Sequence, residues 1–200
     1  MNRRGFFCWM AALLFLISAC ASTKLTATWK DDTILDFPVR KVFVVGAFMD
    51  AGTRKLFEKE FVQQLTVQGI EAMAGHTVLS SDTVPKYDAL IALAKENNAD
   101  AVLVTRFQGI AQDKGPALKQ GEVTLAEAWR GYYDQGYTAL PAYAWKRERY
   151  ELVTVLYEVD TERPLWKIET ELVADGPVAQ SFEPLVRIMA TQLRADRMVR

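Results

Sequence analysis

Residues 41–48 read Lys41-Val42-Phe43-Val44-Val45-Gly46-Ala47-Phe48, a short, β-branched and nearly continuous apolar run. A strand with one wet face alternates apolar and polar residues. A run without alternation fits a strand covered on both faces, as in a parallel sheet flanked by helices. The next segment supports this. Asp50 or Thr53 can cap a helix in which Phe57, Phe61 and Leu65 recur every four residues, with Leu56 and Val62 beside them. Gly69 followed by Ile70 reads as a helix stop.

Ile70 to Leu79 reads as a second strand. Ser81 or Asp82 can cap the helix after it, with Pro85 in its opening turn, Leu90, Ile91, Leu93 and Ala94 on its apolar side, and Asn97-Asn98 at its end. Ala99 to Phe107 is a third strand centred on Val102-Leu103-Val104. Strand, helix, strand, helix, strand predicts parallel pairing. Residues 108–148 then form a polar, glycine-dotted insertion in which Glu122–Arg130 can be a short helix or strand. Tyr150–Val159 and Leu165–Ala174 flank Asp160-Thr161-Glu162-Arg163-Pro164 and read as a hairpin. Ser181, Pro184 and the stripe Phe182, Leu185, Met189, Leu193 predict a closing helix. The expected fold class is α/β (α+β mixed): β-α-β-α-β, insertion, β-β-α, a mixed sheet with helices packed on it.

The chain opens with Arg3 and Arg4 and no acid, followed by an apolar run from Phe6 to Ile17. A basic start and an apolar stretch of about a dozen residues make a secretory signal, too short to span a bilayer comfortably. It ends in Ile17-Ser18-Ala19-Cys20, which resembles the lipobox of bacterial lipoproteins. The bland alternative is an ordinary secretory signal with a chance cysteine at the cut. The resemblance implies cleavage between Ala19 and Cys20 and lipid attachment at Cys20, through a diacylglycerol thioether and palmitate-type acyl chains. By the same resemblance Ala21, where an aspartate would signal inner-membrane retention, implies the inner leaflet of an outer membrane, facing the periplasm, in a source with two membranes. The expected organisation is a signal peptide at 1–19, a lipidated cysteine and tether at 20–40 with a short edge strand at Leu25–Trp29, and one domain at 41–200.

Removing Arg3 and Arg4 from the 24 basic residues leaves 22 against 25 acids, a mature net charge of −3 with the single histidine neutral. That balance is unlike a nucleic-acid binder, which needs a clustered basic surplus. Arg187, Arg194, Arg197 and Arg200 cluster locally, a pattern that complements the dipole of a closing helix or meets anionic lipid.

The element order behind a lipobox, with Thr28-Trp29-Lys30, the strand Lys41–Gly46, Ala99-Asp100-Ala101-Val102-Leu103-Val104-Thr105-Arg106 and the Leu165-Trp166 hairpin, resembles a group of small uncharacterised bacterial envelope lipoproteins. In topology it is more distantly similar to the curli secretion-channel lipoprotein, to lipoprotein activators of penicillin-binding proteins and to the amino-terminal domain of the Tol-system periplasmic protein. The resemblance implies binding or assembly rather than catalysis, and it carries over no functional residue.

Catalytic sets are sparse. The only histidine, His76, falls in the second predicted strand near Ser80, Ser81 and Asp82, without a nucleophile elbow. One histidine and no cysteine beyond Cys8 and Cys20 serve transition metals poorly, so no metal or cofactor is expected. Gly46 and Gly52 lack the spacing of a phosphate loop. The pairs Glu58/Glu60 and Glu169/Glu171 read as solvated faces.

Seven aromatics crowd the 22 residues from Trp129 to Tyr150: Trp129, Tyr132, Tyr133, Tyr137, Tyr143, Trp145 and Tyr150. Tyrosine and tryptophan mixed with glycine make amphipathic contact surfaces. Either these rings fold back to cover the sheet, or they meet a partner, a membrane interface or a glycan. Trp129 and Tyr150, next to regular structure, are expected to pack; Tyr132, Tyr133, Tyr137, Tyr143 and Trp145 are the candidate contact residues. The sequence thus points to a non-enzymatic lipoprotein held to the membrane through acyl chains on Cys20, binding an envelope protein or itself. A peptidoglycan-binding module is the alternative, and an enzyme acting on envelope material comes after it.

Overall fold

The computed structural model describes residues 23–33, 39–79, 86–111, 124–134 and 140–199, with no side chains described for 131–134. Six strands form one mixed sheet: β1 (Lys24–Lys30), β2 (Lys41–Ala47), β3 (Glu71–Ala74), β4 (Ala101–Ile110), β5 (Tyr143–Glu158) and β6 (Pro164–Pro177), in the order β1-β6-β5-β4-β2-β3. Four helices among the described residues pack on it: α1 (Ala51–Val67), α2 (Tyr87–Glu96), α3 (Leu125–Asp134) and α4 (Phe182–Ala195). Pairing is parallel for β2 with β3 and with β4, and antiparallel for β4–β5, β5–β6 and β1–β6.

The unbroken run at β2 has the predicted cause. Val42 and Val44 face one core with Phe57, Phe61, Leu65, Phe182 and Leu185, under α1 and α4. Phe43 and Val45 face a second core with Leu90, Ala94, Leu125 and Trp129, under α2 and α3. Every β2 residue after Lys41 is buried, so no position was free to be polar. Each fully buried valine or phenylalanine contributes about 1.5–3 kcal/mol over its exposed state. The first core is keyed by edge-on rings, Phe48–Phe57 at 5.1 Å and Phe57–Phe182 at 5.3 Å.

The caps follow the sequence in part. Asp50 caps α1, its side chain accepting from Thr53 N at 2.5 Å, and that bond holds its carboxyl below the ordinary value. At the other end Gly69, at φ 80°, lets Gly69 N reach Thr66 O and Ile70 N reach Leu65 O. Ser181 stands at the head of α4, but its hydroxyl donates to Val173 O at 3.1 Å instead of capping. Arg194, in the last turn of α4, donates to Gln68 O at 2.6 Å and so ties the ends of α4 and α1 together.

Three predicted boundaries are corrected. The second strand stops at Ala74, because the chain turns through a 3-10 segment, Gly75–Thr77; a Cβ on Gly75 would lie 3.2 Å from Val44 O. Helix α2 begins at Tyr87 with Lys86 at its cap position, later than a start at Ser81 or Asp82, and 80–85 lie outside the described residues. The insertion is shorter than 108–148, since β4 runs to Ile110 and β5 already begins at Tyr143, pairing with Pro177 of β6. Within it, the ambiguous stretch is helix α3, started by a reciprocal pair: Thr124 N donates to Glu127 Oε2 at 3.0 Å and Glu127 N to Thr124 Oγ1 at 3.3 Å. Leu125 N, bonded to Glu162 O at 2.8 Å, fixes the start of α3 to the β5–β6 turn.

Candidate interaction surface

The β5–β6 hairpin has two unlike halves. From Tyr150 to Glu158, β5 lies between β4 and β6, and its side chains from Leu152 to Tyr157 are buried. From Tyr143 to Glu148 its only strand partner among the described residues is β6, with an irregular register between Ala144 and Glu148. This open half is a two-stranded ribbon projecting past the end of β4.

The ribbon carries the aromatic pair. Tyr143 is 46% exposed and Trp145 is 90% exposed, and their rings meet at 4.8 Å with planes tilted by 52°. They sit two residues apart on one side of the strand, while Ala144 between them turns inward and is buried against the α1/α4 core. Lys146, Arg147 and Arg149 follow, exposed, with half-buried Glu148 among them; Lys146 Nζ is 3.9 Å from Glu148 Oε1.

The ends of the aromatic segment behave differently. Trp129 is fully buried beneath α3 among Leu125, Val153 and Val155, and Tyr150 is fully buried with its ring against Phe107 at 5.8 Å. Burial, with a 2.7 Å hydrogen bond from its hydroxyl to Glu148 Oε2, pushes the Tyr150 hydroxyl above its ordinary value. Tyr132 and Tyr133 belong to α3, without described side chains; Tyr137 lies outside the described residues, as do Ala19 and Cys20.

One polar constellation escaped the sequence reading, and it corrects two expectations. Glu58 is not on a solvated face. It is fully buried, accepting from Gly46 N at 3.0 Å, from His76 N at 2.7 Å and meeting His76 Nδ1 at 2.8 Å. His76 sits in the 3-10 turn after β3, not in a strand. One carboxylate thereby joins β2, α1 and that turn. The signal was present: Arg54, Phe57, Glu58, Phe61 and Leu65 share one helical stripe, all buried, with both charges in core-facing register. Glu60, by contrast, is half-buried and accepts from Gln64 Nε2 at 3.2 Å. With two backbone donors and an imidazole on one carboxylate, the constellation has a sufficient structural account. A Cβ on Gly46 would lie 3.0 Å from the Phe48 ring, so close packing explains that glycine as well.

Among the described residues no group of three or more His, Cys, Asp or Glu side chains could hold a metal ion, and no helix is long and apolar enough to cross a membrane. No family model matches the sequence, and no curated protein does. Among solved structures, the chain is similar to the PelC dodecamer from Paraburkholderia phytofirmans in two crystal forms. One match has 11% identity and a TM-score of 0.44 over 87% of this chain and 96% of that one. The other has 12% identity and a TM-score of 0.43 over 90% and 98%. It is also similar to lipoprotein GNA1162 from Neisseria meningitidis, at 12% identity and a TM-score of 0.40 over 78% and 98%. Similarity at this level carries no functional argument; what the chain itself displays is a mixed six-stranded α/β sheet whose open hairpin end presents Tyr143 and Trp145 to solvent.

Proposed function

We propose that the protein is a cell-envelope lipoprotein, anchored through acyl chains on Cys20, that acts without catalysis as a binding or assembly factor for an envelope protein or for further copies of itself. The anchor rests on Ile17-Ser18-Ala19-Cys20 behind a basic and apolar leader. In a source with two membranes, Ala21 favours the inner leaflet of the outer membrane, facing the periplasm. Contact through the aromatic segment is supported by one observation above the rest: Trp145 is 90% exposed and in tilted ring contact with Tyr143, where a ring serving as cover would be buried. Stacking of the same rings on peptidoglycan sugars is the second reading, favoured by their tilted pairing on an open ribbon.

Mass spectrometry of the mature protein tests the anchor. The expected result is an amino-terminal Cys20 carrying diacylglycerol and an acyl chain, with Cys20→Ala unprocessed by the lipoprotein pathway. A normally processed, firmly membrane-bound Cys20→Ala protein contradicts it. Crosslinking in the native envelope, followed by pull-down and by sedimentation with peptidoglycan, separates a protein partner from a glycan.

A further inference from the structure

The end of the sheet from which the ribbon projects is also the end at which the chain comes in from Cys20. Strand β1 pairs Lys24 with Glu171, and β6 then runs on to Pro177, the partner of Tyr143. Six residues of strand at ~3.3 Å each place the ribbon tip up to about 20 Å beyond the start of β1. Cys20 is four residues before Lys24, and four residues of fully extended chain span at most about 14 Å. Because Lys24–Lys30 is a paired strand, those residues are not free tether. A lipid on Cys20 would therefore keep the start of β1 within about 14 Å of the bilayer, less than the ~20 Å by which the ribbon can reach past it.

The apolar exposure is concentrated at the same end. Of the six large hydrophobic residues exposed among the described residues, Met49 follows β2, Ile110 ends β4, and Tyr143 and Trp145 begin β5. The parallel and antiparallel pairings bring all of these to one edge of the molecule. Lys146 and Arg147 flank the rings, with Asp175 exposed on the facing strand. Tryptophan and tyrosine with neighbouring cations suit the headgroup layer, where an amphipathic ring has one side in hydrocarbon and the other in water.

We propose that the ribbon tip docks into the headgroup layer of the membrane that carries Cys20, with Trp145 and Tyr143 as its interfacial anchors. This rests on the anchored reading, and it assigns the exposed rings of β5 to lipid. The bilayer then sets the orientation of the domain, with the β5–β6 turn and the amino-terminal ends of β2, β3 and β4 pointing away from it.

The test uses residues 20–200, whose only cysteine is Cys20, coupled through its thiol to maleimide lipid in vesicles of phosphatidylethanolamine and phosphatidylglycerol. Brominated phospholipids in the same vesicles quench tryptophans that enter the interface. Quenching is expected, together with a blue shift, and Trp145→Phe should remove at least about two thirds of it; Trp129 and Trp166 are fully buried in the protein and Trp29 lies on β1. Absent quenching, or quenching unchanged in Trp145→Phe, overturns the proposal, as does iodide access to Trp145 equal to that in the uncoupled protein. An unmodified Cys20 in protein isolated from the envelope overturns the anchor instead, a result the coupled vesicles do not depend on.

Discussion

The two halves of the β5–β6 hairpin differ by what lies against them. Near the turn, Leu152, Leu156, Leu165 and Ile168 meet α4 and the first core, while Val153, Val155 and Tyr157 meet the second. At the open end the same two strands continue with neither β4 beside them nor a burial pattern to match: five of the seven residues from Tyr143 to Arg149 are exposed. A strand pair does not need those extra residues to close the sheet. Rings held out on an extension that adds little to folding belong to contact, and rings beneath helices belong to stability.

That contrast can be broken from either side. On the packed side, Trp129→Ala removes a fully buried indole under α3, and a cost of about 3–5 kcal/mol is expected. Thermal or denaturant unfolding measures it. A loss under about 1 kcal/mol would mean that α3 does not close the second core. A smaller loss is expected at the buried carboxylate. Glu58→Gln keeps the volume but turns one acceptor oxygen into a donor facing Gly46 N or the two His76 nitrogens, which leaves a buried pair mismatched. A cost of about 1–3 kcal/mol follows. His76→Ala should cost less, since Glu58 keeps both backbone donors, and envelope function should survive it wherever the fold does. Loss of function in a folded His76→Ala protein would revive a catalytic reading of that turn.

How much of this the sequence revealed varied with how local the cause was. β2, α1 with its Asp50 cap and Gly69 stop, the hairpin and α4 all follow from periodicity and turn chemistry within a few residues. The early end of β3 does not, because Gly75 turns against Val44 O and His76 N is drawn to Glu58, contacts made across 31 and 18 positions of chain. The start of β5 was missed for a similar reason. Tyr143-Ala144-Trp145-Lys146-Arg147 is polar and aromatic because all of it but buried Ala144 is exposed, and its strand character comes from β6. Of the aromatic segment, the packing fate of Trp129 and Tyr150 was legible from their adjacency to regular structure. The buried role of Glu58 was also legible in principle, since it shares the helical stripe of Phe57, Phe61 and Leu65.

The central claim, that the open end of the hairpin is contact surface and not core, is tested most directly by the double variant Tyr143→Ser, Trp145→Ser. Exposed substitutions of this kind stay within about 0.5 kcal/mol each, so its melting temperature should fall within about 4 °C of wild type for a domain of this size. At the same time the tryptophan quenching by brominated lipid should be lost. A fall of 10 °C or more, or full quenching retained in a folded variant, would contradict the account.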